Sequence, residues 1–490
     1  MIRNPLKTPP ANIPRSRRSG AIVFVLSAVY LSGCAVGPNY VRPPVATPPS
    51  YKETGSWKPA APRDAITKGT WWEIYQDPEL NTLESQINVS NQDLKVAQDK
   101  FLQARAAVRI SRSALFPTVT GGLTATPDQL SSNRPLSFVP YRNVYYTDTI
   151  LSVDASYEPD VWGRVRRTVE ASRSEAQATA ADLANVSLSL HAELALDYFQ
   201  LRGLDAGEKL LNSTVVAYQK ALDLTRSRHT GGVVSGLDVA QAQAQLETTR
   251  AQAQDVEVQR ADFEHAIAVL IGKPASQFSL PDSPLTAPPP AIPPGLPSDL
   301  LERRPDVSAA ERRMQEANAN IGVARAAYFP LITLTPTVGV ESISLTTLFQ
   351  GPSVFWSLGA AATETLFDGG NRRGVSEQAR AAYDESIANY RQTVLSAFQA
   401  VEDNLAALRI LQQEAQTQDA AVAAAEHSLA LSNNLYKGGL TNYLQVITAQ
   451  STALADEQTA VDILTRRMQA SIMLVKAIGG GWDASQIPKV

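Results

Sequence analysis

The sequence YKGGLTNYLQVITAQ, residues 436–450, interrupts a long run of helical periodicity with two adjacent glycines. Glycine destabilises a helix interior but readily adopts the left-handed conformation that ends a helix. We therefore expect Gly438 and Gly439 to end one long helix and to start the chain on its return. A related stretch, HTGGVVSGLDVAQAQ at 229–243, predicts the same turn at its own glycine pair.

These two stretches are part of an internal duplication of the chain. Gly232 matches Gly439 at a spacing of 207 residues, whereas Phe116-Pro117 matches Phe329-Pro330 at a spacing of 213. Two constant spacings that differ by six residues indicate one insertion between otherwise matching halves. The predicted tip turns thus occur twice, at Gly231, Gly232, Gly438 and Gly439.

Each half reads as a helix, two strands, a very long helix, a tip and a return helix. Segments 163–230 and 370–437 are each 68 residues long without a proline. At 1.5 Å per residue, each would extend roughly 100 Å, far more than an ordinary globular helix. Apolar residues recur along both at three- and four-residue steps, a pattern of coiled-coil type.

The four strand segments alternate between polar and apolar residues. Ser152 and Asp154, for example, oppose Leu151 and Val153. Such alternation is typical of outer-membrane strands, but an antiparallel sheet with one wet face has the same period. If these strands cross a membrane, several copies must pool them, because four strands cannot close a barrel and an open edge cannot face lipid.

The amino terminus has the features of an export signal. Basic Arg15, Arg17 and Arg18 precede the apolar run 21–31, which is too short to span a bilayer. The following Leu-Ser-Gly-Cys resembles a bacterial lipobox, so we predict lipidation at Cys34. A plain secretory signal with an incidental cysteine is the alternative. The residue after this cysteine is alanine rather than aspartate, which favours outer-membrane sorting.

Charge and composition argue against several function classes. Residues 1–33 carry five basic and no acidic side chains, so the mature chain has 39 basic and 48 acidic residues, a net charge of −9. This acidic balance makes a nucleic-acid partner unlikely on electrostatic grounds. The four histidines lack metal-ligand spacing, and no catalytic constellation is visible. We therefore expect no enzyme activity, no cofactor and no metal.

The sequence predicts six segments. They are a signal peptide at 1–33, a lipidated extended segment at 34–70, a first repeat at 71–280, a Pro-rich linker at 281–297, a second repeat at 298–482 and a tail at 483–490.

Several motifs together resemble the TolC-like outer-membrane factors, and more narrowly the outer-membrane lipoproteins of RND efflux systems (NodT type). They are AVGPNYVRPP after the lipobox cysteine, WWEIYQDPELNTLESQ, EPDVWGRVRR, the two Phe-Pro pairs and LFDGGNRR. The similarity covers essentially the whole mature chain.

The resemblance implies a mixed, mainly α fold: long antiparallel helical hairpins forming an α-barrel tunnel, and four membrane β-strands per chain. A homotrimer would then share a 12-stranded β-barrel in outer-membrane lipid and extend into the periplasm. The tunnel would dock onto a periplasmic adaptor and serve an inner-membrane RND pump as a passive conduit for drugs or other small molecules. A duct for type I protein secretion and a periplasmic coiled-coil scaffold lipoprotein remain alternatives.

The resemblance also places a periplasmic gate at the hairpin tips, lined by carboxylates. Asp238 keeps an acid in the first repeat, whereas the acidic places of the second are Gln445 and Thr448, next to an apolar Leu444. The implied constriction has one carboxylate ring and two uncharged polar rings. An ordinary solvated acid or helix cap is the alternative role for Asp238.

Overall fold

The computed structural model describes residues 35–45, 47–54, 69–129, 145–292 and 297–490. Helices make up 67% and strands 11% of the structure, which confirms the predicted mainly α class with a smaller β part. The predicted signal peptide and Cys34 lie outside the described residues, so the lipidation remains a prediction.

The helices and strands follow the predicted order twice along the chain, and we number them in sequence. They are α1 Pro78–Ser90, α2 Gln92–Ser113, β1 Thr118–Gln129, β2 Tyr145–Ser156, α3 Arg164–Thr230, α4 Gly236–Leu270, α5 Leu300–Arg303, α6 Pro305–Ala326, β3 Leu331–Ser342, β4 Val354–Thr363, α7 Asn371–Lys437 and α8 Tyr443–Ala477.

The chain divides into two compact units, and each takes residues from both predicted repeats. Unit 1 comprises 1–41, 105–174 and 314–385. Its described part contains a four-stranded antiparallel sheet in the order β1-β2-β3-β4. β2 and β3 form the junction between the repeats, and β1 and β4 are the edges.

The sheet has chemically distinct faces, as the alternation predicted. Asp154 accepts hydrogen bonds from Ser152 Oγ and Thr337 Oγ1, both at 2.7 Å. On the other face, apolar side chains such as Val153 and Trp356 are exposed. Exposed apolar residues on most strands of one sheet indicate a surface that something else covers.

Unit 2 comprises 42–104, 175–313 and 386–490 and contains most of the helical residues. The long helices α3 and α7 are each 67 residues, and their return helices α4 and α8 are each 35. The predicted starts at 163 and 370 were one residue early. Gly163 and Gly370 have φ of +80° and +92°, so they belong to turns before the helices.

The predicted apolar seams are the buried faces of the long helices. Leu194 and Leu201 of α3 are fully buried, and so are Val401 and Leu405 of α7. Burial at three- and four-residue steps is what an amphipathic helix requires of its packed face.

The Pro-rich connection is held to unit 2 by an ionic cluster around Asp205. This buried carboxylate contacts Arg202 Nη1 at 3.0 Å and Arg260 Nε at 2.7 Å, and it accepts the backbone N–H of Ser283 at 2.9 Å. Arg202 also donates to the carbonyl of Pro281 at 2.6 Å. Charge-assisted bonds of this kind fix backbone that has no regular structure of its own.

Candidate functional site

The structure places the first predicted glycine pair at the turn between α3 and α4. The N–H of Gly232 donates to His229 O at 2.9 Å, and the N–H of Val233 donates to Arg228 O at 2.8 Å. This is the bonding pattern of a Schellman motif, in which a left-handed residue ends the helix. Gly232 is that residue, with φ of +72°, whereas Gly231 has no positive φ.

The second pair forms the same turn between α7 and α8. Here the N–H of Gly439 donates to Tyr436 O at 3.0 Å, and the N–H of Leu440 donates to Leu435 O at 2.9 Å. Gly439 has φ of +75°. Gly438, like Gly231, precedes the left-handed residue. The two hairpins therefore reverse direction by one shared backbone geometry.

The two return helices begin with different caps. Ser235 Oγ accepts the N–H of Asp238 at 3.4 Å, and Asp238 Oδ2 accepts the N–H of Ser235 at 3.3 Å, a reciprocal capping box. In the second hairpin Asn442 Oδ1 accepts the N–H of Gln445 at 3.3 Å, and no reciprocal bond is present at this described cap. Asp238 thus has a local structural role beside its predicted gating role.

The other predicted gate residues lie along the first turns of α8. Leu444 is 52% exposed, and Gln445 and Thr448 are exposed as well. Thr448 Oγ1 donates to the carbonyl of Leu444 at 3.0 Å. The structure places Leu444, Gln445 and Thr448 on one exposed stretch near the second turn.

A compact aromatic cluster joins the two hairpins just behind their turns. Tyr436 and Tyr443 pack with ring centroids 5.1 Å apart, and Tyr218 belongs to the same buried cluster. Burial, with nearby Tyr436, raises the pKa of Tyr443 to about 12. The Tyr443 hydroxyl therefore stays neutral over the physiological pH range, and the cluster adds no charge to the tips.

One arginine crosses from the first hairpin to the second. Arg228 Nη1 donates to the carbonyl of Tyr436 at 2.8 Å, and its guanidinium lies 4.7 Å from the centroid of the Tyr436 ring. A cation at the carboxyl end of a helix is favoured by the helix dipole and binds carbonyls that lack partners within the helix. Arg228 therefore ties the end of α7 to the end of α3.

Sequence reasoning missed Arg228, Tyr436 and Tyr443 as a group. Their signal was present only in part, as two tyrosines that flank the second glycine pair seven residues apart. The contact with Arg228 joins residues 208 positions apart, so local patterns do not reveal it.

The tips also expose apolar side chains around both turns. Val233 and Leu237 are each 65% exposed, and Leu440 is 78% exposed. With Leu444, these residues form what we call the apolar tip surface. Exposed apolar residues clustered on a surface are typical of protein contact sites.

Two further searches cover the described part of the chain. Within it, no helix is long and apolar enough to cross a membrane. The same residues contain no group of three or more His, Cys, Asp or Glu side chains placed to hold a metal ion.

Comparison with known proteins gives consistent similarities over nearly the whole chain. The probable efflux pump outer membrane protein SepC of Pseudomonas putida is 34% identical over 466 residues, which cover 93% of this chain and 96% of SepC. The outer membrane protein OprJ of Pseudomonas aeruginosa is 31% identical over 94% of this chain and 95% of OprJ.

The fold is similarly matched by a solved structure. The Campylobacter jejuni outer membrane channel CmeC aligns with a TM-score of 0.86 at 25% identity, over 92% of this chain and 96% of CmeC. The family model described as outer membrane efflux protein matches residues 83–273 and 296–480. The chain therefore belongs to the outer membrane efflux protein family.

Proposed function

We propose that this protein is the outer-membrane channel component of a tripartite RND-type efflux system. It acts as a homotrimer, in which each chain contributes four strands to a shared 12-stranded barrel. The conduit is passive, and energy comes from an inner-membrane RND pump through a periplasmic adaptor. Its cargo is drugs or other small molecules that leave the periplasm.

The observation that carries this proposal is the sheet of unit 1. It exposes apolar side chains on one face, bonds polar side chains to one another on the other, and has two edges without partners in the chain. A sheet in lipid must be closed, because unpaired backbone groups in hydrocarbon are costly. Pooling strands from several copies satisfies this requirement and leaves the polar face to line a lumen.

The experiment is outer-membrane fractionation of cells that express the full chain, followed by native mass measurement in detergent. We expect the protein in the outer-membrane fraction as a heat-modifiable trimer. A monomer in the soluble periplasmic fraction would contradict the channel and favour a scaffold.

We propose that transport involves no catalysis, cofactor or metal. His191 and His229 lie far apart on α3, and His265 and His427 lie on other helices. Scattered histidines of this kind lack the shared geometry of a metal or catalytic site.

We propose that Cys34 carries a lipid anchor. The segment after it is fixed in unit 1, because the N–H of Val36 donates to Trp162 O at 3.0 Å and Arg167 Nη2 donates to Asn39 Oδ1 at 2.9 Å. Metabolic labelling with palmitate tests the anchor. We expect label on the wild type and none on Cys34→Ala, and equal labelling of the two would contradict the proposal.

We propose that the tips form the periplasmic gate, with Asp238 supplying the carboxylate ring and Leu444, Gln445 and Thr448 its uncharged neighbours. Carboxylates around a narrow pore attract cations. The apolar tip surface, exposed in the single chain, would meet the adaptor.

Single-channel recording with divalent cations tests the gate. Asp238→Asn removes the charge and keeps a side-chain oxygen for the cap, so cation block should weaken by about tenfold. Ser235→Ala is the matched control, because it removes the cap and leaves the charge. Block that is lost in the control and kept in Asp238→Asn would assign Asp238 to capping alone.

A further inference from the structure

The outer edges of the sheet, β1 and β4, each have a neighbouring strand on one side only. Nearly all their residues are exposed, including Leu123 on β1 and Trp356 on β4. A long exposed apolar edge invites pairing with another strand, and stable proteins cover it. We propose that β4 of one copy pairs with β1 of a second copy in a register set by the internal duplication. This inference rests on the proposed oligomer and specifies its contact.

The two hairpins of the sheet have equivalent registers. Thr118 pairs with Ser156 in the first hairpin, and Leu331 pairs with Thr363 in the second. Moving from β1 to β3 therefore adds 213 residues, and moving from β2 to β4 adds 207. These are the two spacings of the sequence motifs, so every strand position has a defined counterpart.

The pairing of β2 with β3 is the one contact between repeats inside this sheet, and it predicts the contact between copies. Asp154 lies opposite Thr337. Adding 207 to the first position and subtracting 213 from the second gives Ala361 and Thr124. Ala361 of one copy therefore lies opposite Thr124 of the next. The same operation on Ile150 and Glu341 places Ser357 opposite Asp128.

Hydrogen-bond parity fixes the kind of pair at this position. Tyr157 and Leu334 exchange two backbone bonds of 2.9 and 2.8 Å. Bonded and non-bonded pairs alternate along an antiparallel ladder, and the non-bonded pairs bring Cα atoms to about 4.5 Å. Asp154 lies three positions from Tyr157, so its pair is of the close type. Its counterpart, Ala361 with Thr124, inherits that type.

Side chains at the base of the sheet support the same partner. Trp162 stacks on Phe329 with centroids 4.8 Å apart, where the two repeats meet. In the other halves of the repeats the comparable residues are uncovered: Leu366 and Phe367 are 92% and 89% exposed, and Phe116, the counterpart of Phe329, is 69% exposed. A second copy in the stated register brings these two apolar corners together.

The two junctions differ in one side-chain contact. Within the chain, Thr337 donates to the Asp154 carboxylate at 2.7 Å. Between copies, the place of that carboxylate is taken by Ala361, so Thr124 finds no acceptor on the opposite strand. Ala361→Asp should therefore raise the temperature at which the oligomer dissociates in detergent, and Thr124→Val in the same chain should cancel the rise. No rise, or a rise that survives Thr124→Val, would overturn the assigned pair.

Disulfide trapping in the full-length protein tests the register directly. A close pair suits a disulfide, which needs Cα atoms within about 7 Å. Thr124→Cys combined with Ala361→Cys should give covalent oligomers on oxidation that disappear with reductant. Thr124→Cys with Thr363→Cys is the matched control, on the same strands and face but two residues out of register. We expect at least about tenfold less cross-linking there.

Native mass of the unmodified protein separates the possible failures. A chain that does not self-associate would defeat the proposed channel assembly itself. An intact oligomer that cross-links better through Thr363 would leave the assembly standing and overturn the register. Ser357→Cys with Asp128→Cys tests the same register at a second site if the first pair prevents assembly. Its failure to cross-link in an assembled protein would likewise overturn the inference.

Discussion

The two helical hairpins have the same backbone and different side-chain fastenings. Both consist of a 67-residue and a 35-residue helix joined by a Schellman turn with a left-handed glycine. Their caps differ, since the first has the capping box of Ser235 and Asp238 and the second has a single bond from Asn442. Duplication has therefore preserved length and turn geometry while the polar contacts diverged.

A larger difference lies at the ends of the hairpins near the Pro-rich connection. In the first hairpin, Asp205 is buried between Arg202 and Arg260. At the positions 207 residues later, the second hairpin keeps both arginines, as Arg409 and Arg467, but has an exposed Gln412 in place of the aspartate. Only the first hairpin therefore has this ionic cluster, and only the first holds the connection with it.

The largest expected effect is from Asp205→Asn. It leaves two guanidinium groups without their buried carboxylate, which costs about 3–5 kcal/mol of folding free energy. We expect a lower unfolding temperature and faster protease cleavage within 281–292. Gln412→Asn is the matched control in the second hairpin and should change stability by under about 0.5 kcal/mol. Equal losses for both variants would contradict the assigned role of the cluster.

A smaller effect is expected where the hairpins meet. Arg228→Ala removes a charged donor from the Tyr436 carbonyl and a cation from its ring, together about 2 kcal/mol. Hydrogen exchange at the Gly439 and Leu440 amides should become about 30-fold faster. Leu435→Ala, at the corresponding position of the second hairpin, should change exchange by less than about threefold. Unchanged exchange in Arg228→Ala would show that the tips hold together without it.

Sequence was sufficient for the features that depend on local pattern. Proline-free apolar periodicity predicted α3 and α7, and paired glycines predicted where they end. It was insufficient for contacts made across the fold. Arg228 and Asp205 look like ordinary helical charges in the sequence, because their partners are assigned only when helices distant in sequence pack together.

The buried pair of Glu84 and His191 shows the same limit. Their side chains are 2.6 Å apart, and the His191 ring stacks on Trp72 with centroids 4.4 Å apart. Burial raises the pKa of Glu84 well above its ordinary value of 4.5 and lowers the pKa of His191 from 6.5 to about 4. Both groups are therefore neutral in the folded protein near pH 5.5. The second hairpin has Phe398 at the position of His191.

The smallest expected effect is the pH dependence of this pair. Stability from protonated Glu84 is lost as pH rises above 4.5, and stability from neutral His191 is lost as pH falls below 6.5, so the two cancel between these values. Above pH 6.5 only the Glu84 contribution changes, and stability should fall by about 1.4 kcal/mol per pH unit. Thermal unfolding of the wild type across pH 4.5–8.5, a range of about four units, measures this slope.

Glu84→Gln supplies the comparison for that measurement. The variant keeps the size of the side chain but cannot lose a proton, so only His191 contributes. Relative to wild type, its stability should no longer decline above pH 6.5 and should decline as pH falls from 6.5 toward 4. Identical pH profiles for the two proteins would mean that the pair is ionised in the folded state.

The most direct test of the account is single-channel recording of the purified full-length protein in a planar bilayer, without pump, adaptor or energy source. A passive conduit closed at its tips should give discrete conductance steps in the wild type, and Arg228→Ala should enlarge them by loosening the contact with Tyr436. Assembled, outer-membrane-derived protein that conducts in neither form would contradict the claim that this chain builds a channel.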